Sequence, residues 1–147
     1  MPLRKELLEG ILRMDSILRQ IDRHNKEKSQ YGLSILEVRT LQHIKEEGLS
    51  NPKDLAEHFK VTPATITAQI DRLVDKGFIR REKSEKDARY INLKLTDRAN
   101  NNLDEIIEDR LVSYDFIFGG LSKEQQESFL RGMKHIERYV HKKFPKI

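Results

Sequence analysis

The chain has 147 residues, of which 35% are charged and 37% hydrophobic, and its formal net charge at pH 7 is +4. This length predicts one domain, or one small domain with helical additions, and the charge is a mild bias toward anionic partners. The absence of cysteine excludes disulfides, thiol-based redox sensing and Cys-ligated zinc.

No apolar run approaches the roughly 20 residues that span a bilayer. We therefore expect a soluble protein with no membrane partner, located in the cytoplasm.

The first predicted element is a long amphipathic helix over residues 3–28. Its apolar side chains recur at spacings of three and four: Leu7, Leu8, Ile11, Leu12, Ile17, Leu18 and Ile21. A lone helix cannot bury this stripe, so it needs a partner element.

Two further helices follow, each opened by a capping signal. Ser34 and Glu37 form a predicted capping box at the start of a helix that Gly48 ends. Asn51 and Pro52 then supply the N-cap and the first residue of a short helix.

A third start signal, Thr62-Pro63, opens another helix, which stops at Gly77. Its apolar face carries Ile66, Ile70, Leu73 and Val74. Two short helices joined by about three residues predict a helix-turn-helix, in which this second helix has an exposed outer face.

After Gly77, the apolar period changes to two, which predicts strands over residues 78–83 and 90–95. In the second strand we expect an inward set and an outward set: Ile91, Leu93 and Leu95 inward, Asn92 and Lys94 outward. Residues 84–89 join the strands as the tip of a hairpin.

Two long amphipathic helices close the sequence. One covers residues 97–118 and ends at Gly119-Gly120, and the other begins at the capping box of Ser122 and Gln125. Together with the N-terminal helix they predict an assembly between chains. The alternative is a monomeric bundle with the same pattern.

These elements predict a mainly α (α+β) fold. The winged helix-turn-helix occupies residues 33–97, because the hairpin directly follows the exposed helix and becomes its wing. Residues 1–32 and 98–147 supply the dimerisation helices. No internal repeat or flexible linker separates these parts.

The exposed helix presents small and hydroxyl side chains opposite its apolar stripe. A projection at about 100° per residue places Ala64, Thr65, Ala68 and Arg72 there, with Gln69 at the margin. Such side chains let a helix approach a major groove, where threonine bonds a base edge or phosphate and methyl groups touch thymine. The alternative is an ordinary surface helix with a polar outer face.

The hairpin concentrates positive charge beside that helix, interspersed with acids: Arg80, Arg81, Lys83, Lys86 and Arg89 are its basic residues. A guanidinium fits a narrow, electronegative minor groove. Asp87 lies two residues before Arg89, and we interpret it as the carboxylate that holds Arg89 extended, which lowers the entropy lost on insertion. A solvated hairpin of similar composition is the alternative.

Residues 62–96, "TPATITAQIDRLVDKGFIRREKSEKDARYINLKLT", resemble the signature of the MarR family of winged-helix transcriptional regulators. The resemblance rests on the Thr-x-Thr helix, the "DRL…KGFI" exit and the Asp-x-Arg wing followed by "LT". It extends to the whole architecture and is most specific over residues 50–98.

The resemblance implies a homodimer that binds a pseudo-palindromic, double-stranded DNA operator, and we expect it to be a ligand-responsive repressor. By position, the implied DNA contacts are Thr62, Ala64, Thr65, Thr67 and Ala68, with Asp87 and Arg89 as the wing pair. We add Gln69, Arg72, Lys83 and Lys86 from the helix margin and the wing. Ala68 departs from the pattern "TVTR", in which relatives place a base-reading side chain, so recognition here relies more on thymine methyls, phosphates and groove shape.

Similar proteins often hold a small aromatic or phenolic effector between the dimerisation helices and the winged helix. Candidate pocket residues near that junction are His24, Tyr31, His43 and Tyr114, for each of which plain packing is the alternative.

The sequence predicts no enzyme and no cofactor, because it lacks a glycine-rich phosphate loop, a nucleophile elbow and an HExxH motif. Its five histidines form no pair at helical ligand spacing, so no metal site is predicted. A zinc-responsive regulator with a site assembled across the dimer is the alternative function. A third interpretation is a protein-interaction module without DNA binding, which would have an apolar or acidic outer helix face.

Overall fold

A computed structural model describes residues 1–48 and 50–146 of the chain. Its elements are α1 (Pro2–Lys28), α2 (Ile35–Glu47), α3 (Pro52–Phe59), α4 (Pro63–Asp75), β1 (Ile79–Lys83), β2 (Ile91–Leu95), α5 (Asp97–Gly119) and α6 (Lys123–Lys143). The order and type of the elements match the prediction, so the mainly helical winged fold is confirmed.

The predicted capping signals open their helices. Ser34 Oγ accepts a hydrogen bond from Glu37 N at 3.2 Å, and the Glu37 carboxylate accepts one from Ser34 N at 3.0 Å. Asn51 Oδ1 accepts from Asp54 N at 2.9 Å at the start of α3. Each bond satisfies a backbone donor that a helix start leaves open, which fixes where α2 and α3 begin.

The chain forms two compact units, one ending at Arg110 and the other beginning at Leu111. The predicted division at residues 33–97 is a different one, and it stays a prediction. In the second unit, α6 begins at the capping box of Ser122 and Gln125, as predicted. Gln126 Nε2 donates to the carbonyl oxygens of Phe118 and Leu121 at 3.0 and 3.2 Å, which ties the α5–α6 turn to α6.

The core of the first unit lies within the winged helix and the first half of α5. Its buried apolar residues are Leu33, Val38, Leu41, Ile44, Leu55, Ala56, Ile66, Ile70, Leu73, Phe78, Ile79, Leu93, Leu95, Ala99, Leu103 and Ile106. Burying each large aliphatic side chain contributes about 1.5–3 kcal/mol relative to leaving it exposed. This shared core fixes α4 and the hairpin against one another.

The two strands form an antiparallel hairpin in which Ile79 pairs with Leu95, Arg81 with Leu93 and Lys83 with Ile91. Leu93 and Leu95 are buried as predicted, but the inward prediction for Ile91 is wrong, because its side chain is 44% exposed. Ile91 shares their face of the strand, yet it lies at the end of the hairpin that projects past the core. Alternation predicts the face of a residue and not how far the core extends.

Gly77 makes the turn from α4 into the wing. Its φ of 77° lies in the region that favours glycine, and its N–H donates to Val74 O at 2.9 Å. Thr96 Oγ1 donates to Gly77 O at 2.6 Å, so the end of β2 holds this turn as well.

The helices α1 and α6 bury none of their residues within the protomer. The large exposed apolar side chains of α1 include Leu7, Leu8, Ile11, Leu12 and Ile17, and those of α6 include Phe129, Leu130, Met133, Ile136 and Tyr139. Each helix therefore carries an unpartnered apolar face. Among the residues described, no helix is long and apolar enough to cross a membrane.

Candidate nucleic-acid interface

The exposed face of α4 begins at a pair of threonines that cap the helix. Thr62 Oγ1 accepts a hydrogen bond from Thr65 N at 3.2 Å, and the two hydroxyl oxygens lie 2.9 Å apart. Two hydroxyls carry two protons and their mutual bond uses one, so the pair keeps one proton for an external acceptor. Both side chains are exposed.

The outer surface of α4 gathers most of the side chains predicted to contact DNA. The exposed members of that set are Thr62, Ala64, Thr65, Thr67, Ala68 and Arg72. Pro63 has no N–H, and the backbone N–H of Ala64 binds no acceptor among the described residues. The N-terminus of α4 thus offers a hydroxyl of the Thr62–Thr65 pair, the backbone N–H of Ala64 and the positive end of the helix dipole. The methyl groups of Ala64 and Ala68 are exposed on the same surface.

The prediction that Gln69 lies at the margin of this surface is wrong. Its side chain is only 1% exposed, and Nε2 donates to Thr40 Oγ1 and to Leu36 O at 2.5 and 3.3 Å. A helical projection treats α4 as isolated, whereas α2 packs over this side of it. Gln69 therefore joins α4 to α2, and we remove it from the set of DNA contacts.

Arg72 forms an ion pair with a buried acid, Glu37 of α2. Its Nε lies 2.9 Å from Glu37 Oε1; the side chain of Arg72 is 50% exposed and that of Glu37 is 0% exposed. Lys26 Nζ on α1 lies 4.0 Å from the same oxygen, Glu37 Oε1. The sequence showed Glu37 only as a capping residue, because nothing local links it to a side chain 35 positions away.

The wing tip contains the predicted Asp87–Arg89 pair. Arg89 Nη2 lies 2.8 Å from Asp87 Oδ2, Arg89 Nε lies 3.1 Å from Oδ1, and Arg89 N donates to Oδ1 at 3.0 Å. The side chain of Arg89 is 86% exposed. Its side-chain hydrogen bonds, and then its backbone N–H, hold the pKa of Asp87 below the usual value, and the carboxylate raises the pKa of Arg89.

The other arginines of the hairpin also have acidic partners. Arg80 Nε lies 2.9 Å from Glu82 Oε1, and Arg81 forms an ion pair with Asp71 of α4. The second pair joins the base of the wing to the exposed helix. The interspersed acids therefore fix arginine side chains, while Lys83 and Lys86 are exposed and their ammonium groups pair with no acid in residues 1–48 and 50–146.

The four predicted pocket residues have different surroundings. His24 is exposed on α1, and the Tyr31 ring meets Phe78 edge-on with centroids 6.2 Å apart. Burial, and then the hydrogen bond to Glu105, raises the pKa of the Tyr31 phenol. Tyr114 belongs to the second unit. The predicted effector pocket stays a prediction.

His43 instead stacks on His58 of α3, with ring centroids 4.0 Å apart and planes at 22°. The sequence missed this pair, because its members are on different helices and only the packing of α3 on α2 brings them together. In the described part of the chain, no group of three or more His, Cys, Asp or Glu side chains is placed to hold a metal ion.

A helix-turn-helix followed directly by a two-stranded wing defines the winged-helix class of DNA-binding proteins. The MarR family model matches residues 33–91. The transcriptional regulator AdcR of Streptococcus pneumoniae is 30% identical over 106 residues, which cover 70% of this chain and 72% of AdcR. The transcriptional repressor MdtR of Bacillus subtilis is 32% identical over 79 residues, covering 54% of this chain and 51% of MdtR.

The fold is also that of solved members. A MarR transcriptional regulator from Methanosarcina mazei Go1 superimposes with a TM-score of 0.76 at 20% identity, covering 91% of this chain and 98% of that one. The chain belongs to the MarR family of transcriptional regulators. That family is not enzymatic, which confirms the prediction that this protein is no enzyme.

Proposed function

We propose that this chain binds a pseudo-palindromic DNA operator as a homodimer and represses transcription, and that a small aromatic or phenolic acid releases it. The observation that carries the proposal is the juxtaposition of two exposed features on one shared core. These are the threonine and alanine face of α4 and the exposed wing arginine that pairs with Asp87. The cytoplasm, where bacterial and archaeal genomes lie, is the proposed location.

The two features suit the two grooves of DNA. Small side chains near the N-terminus of α4 allow the helix backbone close to base edges, and Ala64, Ala68 and the threonine methyls complement thymine methyl groups. Arg89 suits the narrow minor groove alongside, where the negative potential is strongest. Lys83 and Lys86 supply phosphate contacts that depend little on sequence.

Homodimerisation is supported by the apolar faces of α1 and α6. Soluble proteins rarely leave contiguous apolar faces of this kind in water, and a second copy of the chain covers them by symmetry. A two-fold dimer then presents two copies of α4 to half-sites about one helical turn, roughly 10 bp, apart.

Repression is the direction of regulation that we propose. It is supported by MdtR, which is described as a repressor. A dimer that covers adjacent grooves of a promoter excludes other proteins from the same DNA.

For the effector, a concave surface of about 570 Å³ between α3 and α4 is a second candidate site, separate from the pocket predicted from the sequence. Pro52, Ala56, Val61, Pro63 and Ile66 supply apolar walls for an aromatic ring, and Lys53 supplies a cation for its carboxylate. A ligand beside Thr67 would compete with DNA for the same face of α4.

Selection of bound duplexes from random DNA tests the proposal, repeated with a panel of aromatic acids and with zinc. We expect the selected DNA to contain a two-fold symmetric site, and we expect an aromatic acid to release the protein from it. A single asymmetric half-site contradicts the dimer, and release by zinc alone favours the metal-responsive alternative. No bound duplex of any sequence at low salt contradicts DNA binding.

A further inference from the structure

Lys60 occupies the turn between α3 and α4 in the left-handed backbone conformation, with φ 54° and ψ 44°. It is the one residue other than glycine with a positive φ in residues 1–48 and 50–146, where Gly32, Gly48 and Gly77 have the others. In this conformation a Cβ crowds the following carbonyl oxygen, and glycine avoids the conflict.

The hydrogen bonds of this turn explain why the left-handed conformation is required. Val61 N donates to Ala56 O at 3.1 Å, and Lys60 N donates to Glu57 O at 3.3 Å. These are the two bonds of a Schellman motif, whose left-handed position is most often glycine. The geometry of the turn therefore calls for glycine, and the backbone gains nothing from a lysine there.

The side chain of Lys60 has no structural role that would offset this strain. It is exposed, and in the described part of the chain its ammonium group makes no hydrogen bond and no ion pair. The nearby arginines differ, since Arg72, Arg80, Arg81 and Arg89 each have an acidic partner.

The position of Lys60 is informative, because it lies two residues before Thr62, the N-cap of the exposed helix. We propose that Lys60 binds a DNA phosphate beside the N-terminus of α4, and that the chain gives up stability in the turn to place a cation there. This proposal rests on the proposed DNA binding. A phosphate at this helix end also meets the open N–H of Ala64 and the positive end of the helix dipole.

Three substitutions separate the charge from the strain. Lys60→Gly removes both, Lys60→Ala removes only the charge, and Lys60→Arg keeps both. Lys123→Ala, at the exposed start of α6, is the control for loss of one lysine outside the winged helix.

Thermal unfolding of the free proteins measures the strain. We expect Lys60→Gly to raise Tm by roughly 2–5 °C, whereas Lys60→Ala and Lys60→Arg stay near the wild type. A Lys60→Gly protein that melts at or below the wild-type temperature overturns the idea that lysine is costly at this position.

Affinity for a selected and for a random duplex, measured over a range of salt concentrations, tests the phosphate contact. Lys60→Gly and Lys60→Ala should lower the affinity for both duplexes by a similar, several-fold factor. They should also make the salt dependence of log K less steep by about 0.9 per half-site. Lys60→Arg and Lys123→Ala should keep the wild-type slope.

Two failures are distinguishable. A wild-type protein that binds no duplex removes the proposed function and this proposal together. A wild-type protein that binds, with Lys60→Gly and Lys60→Ala binding at the same slope, overturns the phosphate contact alone.

Discussion

Asp87 orients the side chain of Arg89 at the tip of the wing. A free arginine side chain carries about 2 kcal/mol of rotamer entropy that ordering on DNA would remove. The Asp87 carboxylate binds Arg89 Nε and Nη2 and also the Arg89 backbone N–H, so much of that ordering is complete in the free protein. The guanidinium remains largely exposed, which leaves its other donors for DNA.

Replacing Arg89 with alanine should weaken operator binding by about 10- to 100-fold, because a charged hydrogen-bond donor contributes about 1.5–3 kcal/mol. Asp87→Ala should cost less than about tenfold, since the cation remains and only its ordering is lost. Fluorescence anisotropy on the selected duplex measures both effects.

Arg19 on α1 provides the matched control, since it pairs with Asp15 at 3.0 Å outside the winged helix. Arg19→Ala should bind the operator like the wild type. If Arg89→Ala did so as well, the assignment of the wing as a minor-groove contact would be wrong.

The Asp87–Arg89 ion pair should also depend on pH. The pKa of Asp87 in the folded protein lies below its ordinary value of 3.8, so the pair persists above that pH and is lost only as the pH falls through the lowered pKa. A carboxyl-carbon NMR titration should place the Asp87 midpoint below 3.8, and Arg89→Ala should move it upward. An unchanged midpoint in that variant would show that another group lowers the pKa.

At the scale of the element, α4 is oriented by the buried side chains of Glu37 and Gln69. Glu37 binds Arg72 from α2, and Gln69 binds Thr40 and Leu36 O of the same helix. Buried, hydrogen-bonded polar groups of this kind tolerate few alternative arrangements, so they fix the rotation of α4 about its axis. These contacts therefore determine which side chains of α4 are exposed.

The exposed face of α4 and the wing lysines should differ in what they recognise. Thr65→Ala keeps the helix cap, because Thr65 contributes only its backbone N–H to the bond with Thr62 Oγ1. The variant should lose more affinity for the selected operator than for random DNA. Lys83→Ala should weaken both alike and lower the salt dependence. Competition binding with the two duplexes separates the outcomes, and equal losses for Thr65→Ala would exclude base reading by Thr65.

At the scale of the whole molecule, the long helices offer apolar faces that the protomer leaves exposed. None of the residues of α1 or α6 is buried, so neither helix contributes to the core of the winged helix. Substitutions on the apolar faces of α1 and α6 can therefore be made without disturbing the core of the winged helix.

Ile136→Glu on α6 should give a monomer without unfolding the winged helix, because Ile136 is 59% exposed and lies outside the core. Binding to the two-fold operator should fall sharply with it. Arg131→Glu, an exposed charge change on the same helix, is the control and should remain dimeric. Sedimentation with circular dichroism measures mass and fold together, and a wild type that sediments as a monomer would contradict the dimer.

The order of the elements could be read from local chemistry. The capping boxes at Ser34 and Ser122 and the N-caps at Asn51 and Thr62 depend on residues three apart, so a short window of sequence contains the whole interaction. The Asp87–Arg89 pair was predictable for the same reason.

Tertiary structure alone decided which polar side chains are buried and which residues meet across helices. Gln69 and Ile91 were misplaced because their exposure depends on α2 and on the extent of the core, not on their own neighbours in sequence. Glu37 with Arg72, and His43 with His58, join residues that only the packing of helices brings together. Local hydrogen bonds are encoded within a few residues, whereas burial and long-range pairs are properties of the packed chain.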